Sequence, residues 1–289
     1  MKDLSVTVVI PALNEKDAVG PVVRELADLL ARSVKSHEVL VVDDGSTDGT
    51  ADAARAAGAT VVRHPVNRGY GQALETGIKT ARHDWILMID ADGSYPPGEA
   101  AKLLERAPEF DLVIGERTGS HFWGSPTAAL LRWTYLRIAS FIVGERVPDA
   151  NSGLRLVRKA LAAEKGPVQC LGFSHSTTMT LSFLKAGRFV DFVPIEFRAR
   201  VGKSHVRRVR DILRTLQLMT QVLIAYNPLK LFVTLAAPPA ALGCLFFLVA
   251  IILPRNGSPL LAWLLCWLIA LVCFCVGCIL DAMRMHARR

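Results

Sequence analysis

Cysteine is scarce where disulfides would matter. Of six cysteines in 289 residues, Cys244, Cys266, Cys273, Cys275 and Cys278 lie in apolar stretches near the C-terminus, and only Cys170 lies before them. That pattern excludes a disulfide framework and fits a reducing compartment. The spacing of Cys273, Cys275 and Cys278 has no histidine or fourth ligand beside it, so these thiols read as small apolar side chains. A dinucleotide fingerprint is also missing. Where Gly-x-Gly-x-x-Gly should follow the first strand, the chain has Pro11-Ala12-Leu13-Asn14-Glu15. The run Asn67-Arg68-Gly69-Tyr70-Gly71 comes too late and is too short, and no Walker phosphate loop is present. There is no internal repeat and no low-complexity linker. The N-terminus enters an apolar strand almost at once, so no signal peptide is expected.

Hydrophobic residues make up 51% of the chain and are unevenly placed. Strands are predicted over Val6–Pro11, Glu38–Val42, Thr60–Arg63, Trp85–Ile89 and Leu112–Gly115. Helices are predicted over Asp17–Arg32, Thr50–Ala57 and Gly69–Ala81, with another closing at Leu103–Ala107. Ser46, Thr47 and Asp48 are expected to cap the helix near Thr50. This βαβα alternation implies an α/β fold, a mainly parallel Rossmann-like sheet with helices on both faces and functional loops at the carboxyl ends of the strands. Further on, Ala128–Val143 and Ser174–Lys185 read as helical, Asn151–Val157 as extended and Phe189–Ile195 as a last strand. This half is expected to complete the sheet and build the acceptor side of a cleft.

Two stretches, 231–253 and 260–280, are long and apolar enough for a transmembrane hairpin, with Pro238-Pro239 kinking the first. A buried hairpin in a soluble core is the alternative. The formal charge of +8 is local: Arg198, Arg200, Lys203, Arg207, Arg208, Arg210 and Arg214 face one acid, Asp211, in that stretch. Because this cluster abuts an apolar span and not an aromatic-studded groove, an anionic membrane surface is expected and nucleic acid is not. Val206–Tyr226 reads as an amphipathic interfacial helix, or as a helix packed on the soluble part. Basic residues flank the hairpin at Arg198–Lys230 and at Arg284, Arg288 and Arg289, whereas its turn has only Arg255. The positive-inside rule then puts both termini and the soluble part in the cytoplasm, with two spans in the cell membrane. The expected division is 1–203, a globular domain; 204–227, a juxtamembrane helix; and 228–289, the hairpin.

Asp90-Ala91-Asp92 follows a buried strand, and Asp43-Asp44 ends another. Residues two apart on an extended segment point the same way. Two such carboxylates form a hard oxygen site suited to Mg²⁺ or Mn²⁺ with substrate phosphates; a capped turn with solvated acids is the alternative.

The segments Val8-Val9-Ile10-Pro11-Ala12-Leu13-Asn14-Glu15, Val41-Val42-Asp43-Asp44-Gly45-Ser46-Thr47-Asp48-Gly49-Thr50, Asn67-Arg68-Gly69 and Asp90-Ala91-Asp92-Gly93 together resemble family 2 glycosyltransferases of the GT-A fold. Asp149-Ala150-Asn151-Ser152-Gly153-Leu154-Arg155 and Arg200-Val201-Gly202-Lys203-Ser204 are similar to the polyprenyl-phosphate branch typified by dolichol-phosphate mannose synthase. The resemblance covers residues 5 to about 210. It implies that Pro11, Leu13 and Glu15 line a base and ribose pocket and that Asp44, with Asp43 beside it, contacts the nucleoside. Asp90 and Asp92 would hold the donor diphosphate through the metal. Arg117 and Arg132 would meet phosphate groups, with Arg200 and Lys203 nearer a lipid phosphate. Asp149 is the matched position for a base or orienting group, with a turn-capping Asp as the alternative.

Two positions depart from the family pattern. Ser94 stands where a metal-contacting Gln is often found, and His205 stands where Lys is usual, which splits the acceptor-phosphate role between Lys203 and His205. The implied reaction is an inverting transfer of a hexose from a nucleotide-diphosphate sugar to a polyprenyl (undecaprenyl or dolichyl) phosphate. Asp92, Asp149 and Arg117 would be the catalytic residues. GDP-mannose and UDP-glucose are the leading donors, and UDP-N-acetylhexosamines and a homo-oligomer stay open. The rival readings are transfer to a diacylglycerol- or ceramide-like hydroxyl, and a non-catalytic membrane scaffold.

Overall fold

The structure is a computed structural model that describes residues 2–164, 175–199, 208–252 and 258–287. In chain order its elements are β1 (Ser5–Ala12), α1 (Lys16–Ser33), β2 (Ser36–Asp43), α2 (Thr50–Ala56), β3 (Thr60–Arg63), α3 (Tyr70–Thr80), β4 (Trp85–Met88), α4 (Ala100–Arg106), β5 (Leu112–Thr118), α5 (Ser120–Trp123) and α6 (Pro126–Val143). They continue with β6 (Arg155–Arg158), α7 (Lys159–Ala162), α8 (His175–Lys185), β7 (Val190–Glu196), α9 (Arg208–Tyr226), α10 (Pro228–Ile252) and α11 (Ser258–Ala287). The chain divides into two compact units, Met1–Met219 and Thr220–Arg289, with the division inside α9.

The first unit is built on a seven-stranded sheet in the order β3-β2-β1-β4-β6-β5-β7. Apolar runs bounded by turns make these strands, and alternation sorts their side chains to two faces. Val6, Val8 and Ile10 of β1, with Trp85 and Leu87 of β4, pack with Val19, Val22, Leu26 and Leu30 of α1 and Leu103 and Leu104 of α4. Val9, Leu40, Ile86 and Met88 point to the opposite face, against Ala73, Leu74 and Ile78 of α3 and Met179 and Phe183 of α8. Each fully buried Ile, Leu or Met contributes roughly 1.5–3 kcal/mol by leaving water. The two-sided burial of β4 therefore fixes the centre of the sheet.

β1, β2, β3 and β4 run parallel, as do β5 and β7, whereas β6 is antiparallel to both β4 and β5. From β1 the chain winds outward through β2 to β3 and then returns to β4 on the other side of β1. That reversal opens a crevice at the carboxyl ends of β1 and β4, the usual ligand position in an open α/β sheet. Asp90 and Asp92 leave β4 at that edge. β6 and β7 complete the sheet, and β6 brings Asp149–Gly153, just before it, to the same region.

One sequence expectation is corrected here. Ser46 and Thr47 do not cap α2. The residue before α2 is Gly49, with φ 89° and no side-chain cap. The Ser46 hydroxyl instead accepts from the backbone N–H of Asn14, and Thr47 donates its N–H to the Asn14 side chain. Asp48 does both jobs: it accepts from Thr50 at the start of α2 and from the Lys16 N–H at the start of α1.

In the second unit α10 and α11 pack on each other. α10 continues through Pro238 and Pro239. Gly243 lies against Trp267 and Cys266, and Gly277 against Phe232, so a side chain at either glycine would collide with the neighbouring helix. Outward-facing side chains include Leu242, Leu245, Leu248, Ile251, Leu264, Leu268 and Leu271. α10, at 25 residues, reaches about 37 Å at about 1.5 Å per residue, enough to cross a bilayer core of roughly 30 Å. Arg284 pairs with Asp281 and donates to the Tyr226 carbonyl.

Candidate active site

The crevice is framed by three loops that hydrogen-bond to one another. After β1, Asn14 takes a left-handed conformation (φ 54°). Its N–H, and that of Glu15, donate to the hydroxyls of Ser46 and Thr50. Pro11 is buried, and Leu13 and Glu15 are half-buried. Asp43 is fully buried; it accepts from the Ser46 N–H and lies 3.2 Å from the Arg63 guanidinium. Asp44 is 4% exposed. One of its oxygens accepts from His64 Nδ1 (2.6 Å) and the Arg68 N–H (2.9 Å), and the other from the Gly69 N–H (2.7 Å). Asp44 thus ties the Asn67-Arg68-Gly69 loop to the end of β2.

Asp90 and Asp92 stand at the end of β4, both partly exposed. The Tyr70 hydroxyl donates to Asp90 Oδ1 at 2.9 Å. Burial first, then the neighbouring Asp90 charge, raise the Tyr70 phenol well above its ordinary value, so it stays a donor. Asp92 Oδ1 accepts from both the N–H (3.0 Å) and the hydroxyl (2.6 Å) of Ser94. The Ser94 hydroxyl therefore orients Asp92. No group of three His, Cys, Asp or Glu able to hold a metal occurs among the described residues. Two hard carboxylates fit Mg²⁺ or Mn²⁺ only if substrate oxygens and water complete the shell, which is how these ions commonly bind beside phosphates.

The other side of the site is basic. Arg117, at the end of β5, donates Nε to Asp149 Oδ2 (2.7 Å) and Nη2 to Oδ1 (2.9 Å), and its own N–H reaches Oδ2 (3.2 Å). The Asn151 N–H adds a fourth donor to Asp149, which is 1% exposed. Burial alone would lower the Arg117 guanidinium, but Tyr95, Asp149 and Asp90 outweigh it and hold it above its ordinary value. The Arg117 guanidinium lies 4.9 Å from the centre of the Phe122 ring, and that of Arg132, from α6, lies 4.6 Å from the same centre. Burial and the nearby Arg117 charge push Arg132 below its ordinary value. Its Nη1 is buried and bonds to no described residue. A pair of guanidinium groups around one ring, one of them unsatisfied, suits a phosphate.

Beneath both sides lies Arg155, 1% exposed, which bonds Ser152 O, Ala150 O, Ser176 O and Thr180 Oγ1 and so pins the 149–153 loop to α8. The Gly153 N–H donates to the Tyr95 hydroxyl.

Residues 7–164, more than half of the chain, match the family described as Glycosyl transferase family 2. The chain belongs to glycosyl transferase family 2. It is an enzyme, a glycosyltransferase. It is 29% identical over 267 residues to an undecaprenyl-phosphate 4-deoxy-4-formamido-L-arabinose transferase from Klebsiella pneumoniae, covering 88% of this chain and 78% of that one. It is also 29% identical over 215 residues to an undecaprenyl-phosphate mannosyltransferase from Micrococcus luteus, covering 70% and 87%. Among solved structures, glucosyl-3-phosphoglycerate synthase from Mycobacterium tuberculosis, crystallised with Mn²⁺ and UDP-glucose, superposes with TM-score 0.59 at 24% identity over 75% of this chain and 79% of that one. Mannosyl-3-phosphoglycerate synthase from Rubrobacter xylanophilus superposes with TM-score 0.60 at 22% identity over 76% and 72%. These structures share the glycosyltransferase fold.

Within this family member, Pro11, Leu13, Glu15, Asp43, Asp44, Asp90, Asp92 and Ser94 all lie at or just past the carboxyl ends of β1, β2 and β4. Arg117, Arg132 and Asp149 frame the basic side. Arg200, Lys203 and His205 lie outside the described residues, as do Cys170 and Arg255. Sequence reasoning missed Tyr70, Phe122 and Arg155. Tyr70 directly follows Asn67-Arg68-Gly69 and Arg155 ends the Asp149 motif, so both adjoin a visible signal. Nothing in the sequence marks Phe122.

Proposed function

We propose that this glycosyltransferase moves a hexose, with inversion, from a nucleoside diphosphate donor to a polyprenyl phosphate at the cytoplasmic face of a membrane. One observation carries the reading: Gly153 packs against Asp90 while Asp149, four residues earlier in the same loop, grips Arg117, so one short segment joins the carboxylate edge to the guanidinium pair. The two relatives named for undecaprenyl phosphate support the acceptor. GDP-mannose and UDP-glucose remain the leading donors.

In this reading Pro11, Leu13 and Glu15 line the base and ribose pocket, and Asp43 and Asp44 act from the loops beside it. Asp90 and Asp92 would hold Mg²⁺ or Mn²⁺, with Ser94 setting the Asp92 rotamer. A divalent cation held there would supply charge neutralisation to the leaving diphosphate. Arg117 and Arg132 grip the acceptor phosphate, helped by Arg200, Lys203 and His205. The exposed Leu130, Leu131 and Trp133 of α6 flank Arg132 and suit the lipid chain. A phosphate monoester loses its second proton near pH ~6, so the nucleophile is already an oxyanion at neutral pH. Asp149 then serves to orient Arg117. Its four donors argue against the hydroxyl-acceptor reading, which needs a free base. Catalysis rests on positioning and charge.

The division into 1–203 for catalysis, 204–227 for the interface and 228–289 for the spans is part of the proposal, as is the cytoplasmic placement of the catalytic unit. Holding enzyme and lipid in one plane raises their effective concentration. The test is a donor panel with undecaprenyl phosphate, scored by mass spectrometry of the lipid. A glycosyl phosphate lipid is expected; a product glycosylated only on a diacylglycerol or ceramide hydroxyl would overturn it. Deleting 228–289 should release the protein from membranes.

A further inference from the structure

Asp90 is gripped from two sides. On one, the Tyr70 hydroxyl donates to Oδ1 at 2.9 Å. On the other, Gly153 is packed so closely that a Cβ there would fall 2.7 Å from Asp90 Cγ and nearer still to Oδ2. The Gly153 backbone is itself fixed: its N–H donates to the Tyr95 hydroxyl at 2.7 Å, and the neighbouring Ser152 carbonyl accepts from the buried Arg155. Tyr70 opens α3 and Asp90 lies two residues past the end of β4, so the contact joins two separately built elements. A carboxylate that must bind a cation cannot swing freely, because every rotamer it explores lowers the population that can bind. Outer hydrogen bonds that orient a metal-binding carboxylate typically govern about 10–100-fold in metal affinity.

We infer that Tyr70 is a positioning residue that, together with the bare Cα of Gly153, holds Asp90 in its cation-binding rotamer. The inference rests on the proposed metal role of Asp90 and assigns no chemistry to Tyr70 itself. Replacing Tyr70 by Phe keeps the ring and deletes one oxygen. Replacing Gly153 by Ala displaces the same carboxylate from the opposite side.

The experiment uses the full chain in nanodiscs and Mn²⁺ as the probe. Free Mn²⁺ is read by its paramagnetic resonance signal in the presence of UDP or GDP, whichever the wild-type protein binds. Tyr70→Phe should raise the Mn²⁺ dissociation constant about tenfold. Its turnover at low Mn²⁺ should fall in proportion and recover to within about twofold at saturating Mn²⁺. The KM for the lipid acceptor should stay put. A general folding defect would not be rescued by excess metal. Gly153→Ala should weaken Mn²⁺ binding in the same way. Wild-type Mn²⁺ affinity in both variants, or a turnover loss that excess Mn²⁺ does not restore, overturns the role of Tyr70. Full wild-type turnover in chelator is a different result: it removes the metal reading, and this inference with it.

Discussion

Among the described residues, the two sides of the site hold carboxylates through different donors, hydroxyl and backbone groups on one and a guanidinium on the other. On the donor side, Asp90 and Asp92 accept from neutral groups, the Tyr70 phenol and the Ser94 hydroxyl and N–H. Those donors are neutral and orient the acids. On the basic side, Asp149 is matched by Arg117 in a two-pronged ion pair, and Arg132 is a second cation over the Phe122 ring. The difference teaches how one crevice can manage two phosphorylated substrates. In the proposed function, the diphosphate would be met through an acid edge that calls for a cation, and the acceptor phosphate by guanidinium groups directly. Arg suits the second task because its planar fork matches phosphate oxygens, and the Phe122 face steadies both guanidinium planes.

The largest effect should come from breaking the donor side. Asp92→Asn should lower kcat about 10²–10³-fold, measured as nucleoside diphosphate release with undecaprenyl phosphate. Next, Arg132→Ala should raise the acceptor KM about 10–100-fold, since each charge-assisted bond is worth roughly 1.5–3 kcal/mol, while donor binding by calorimetry stays unchanged. A donor-side defect in that variant would erase the contrast between the two sides. Asp149→Asn keeps the shape and removes the charge opposite Arg117. It should cost about tenfold in kcat/KM, well below the upper end of the 10²–10⁴ expected from loss of a general base. A loss near 10⁴ would make Asp149 the base.

The smallest effect concerns stability. Burial first, then the Arg155 charge, depress the His175 imidazole to about 4 from its ordinary value. The folded state then binds fewer protons than the unfolded chain between about pH 6.5 and 4. Stability contributed by neutral His175 is present above that window and is lost as pH falls through it. His175→Gln should flatten the fall in melting temperature between pH 7 and pH 5.

The first half of the sheet was legible because its code is local. Strands β1 to β4 and helices α1 to α3 fall within two residues of the limits that apolar runs and turn residues predict. β5 runs on to Thr118, past the expected stop at Gly115, because pairing with β7 carries Glu116, Arg117 and Thr118 as strand despite their polarity. The extended segment at 151–157 becomes the strand Arg155–Arg158, antiparallel between β4 and β5. No local pattern announces which neighbours a strand will choose. Both apolar spans proved longer: α10 starts at Pro228, and α11 runs to Ala287, through Asp281, Arg284 and His286, which an apolar window excludes. The site divides likewise. The acids and arginines were visible as motifs, but Tyr70 against Asp90 and Phe122 between two arginines exist only once distant segments meet.

The loop from Asp149 to Gly153 acts as a strut. One end holds Arg117, proposed to meet the acceptor, and the other end presses on Asp90, proposed to meet the donor. Five residues pinned by a buried guanidinium cannot stretch, so the distance between the two chemistries is set by backbone and not by the sugar in transit. Members of such a fold could then exchange the lining of the sugar pocket and accept a new donor while the reacting groups keep their spacing.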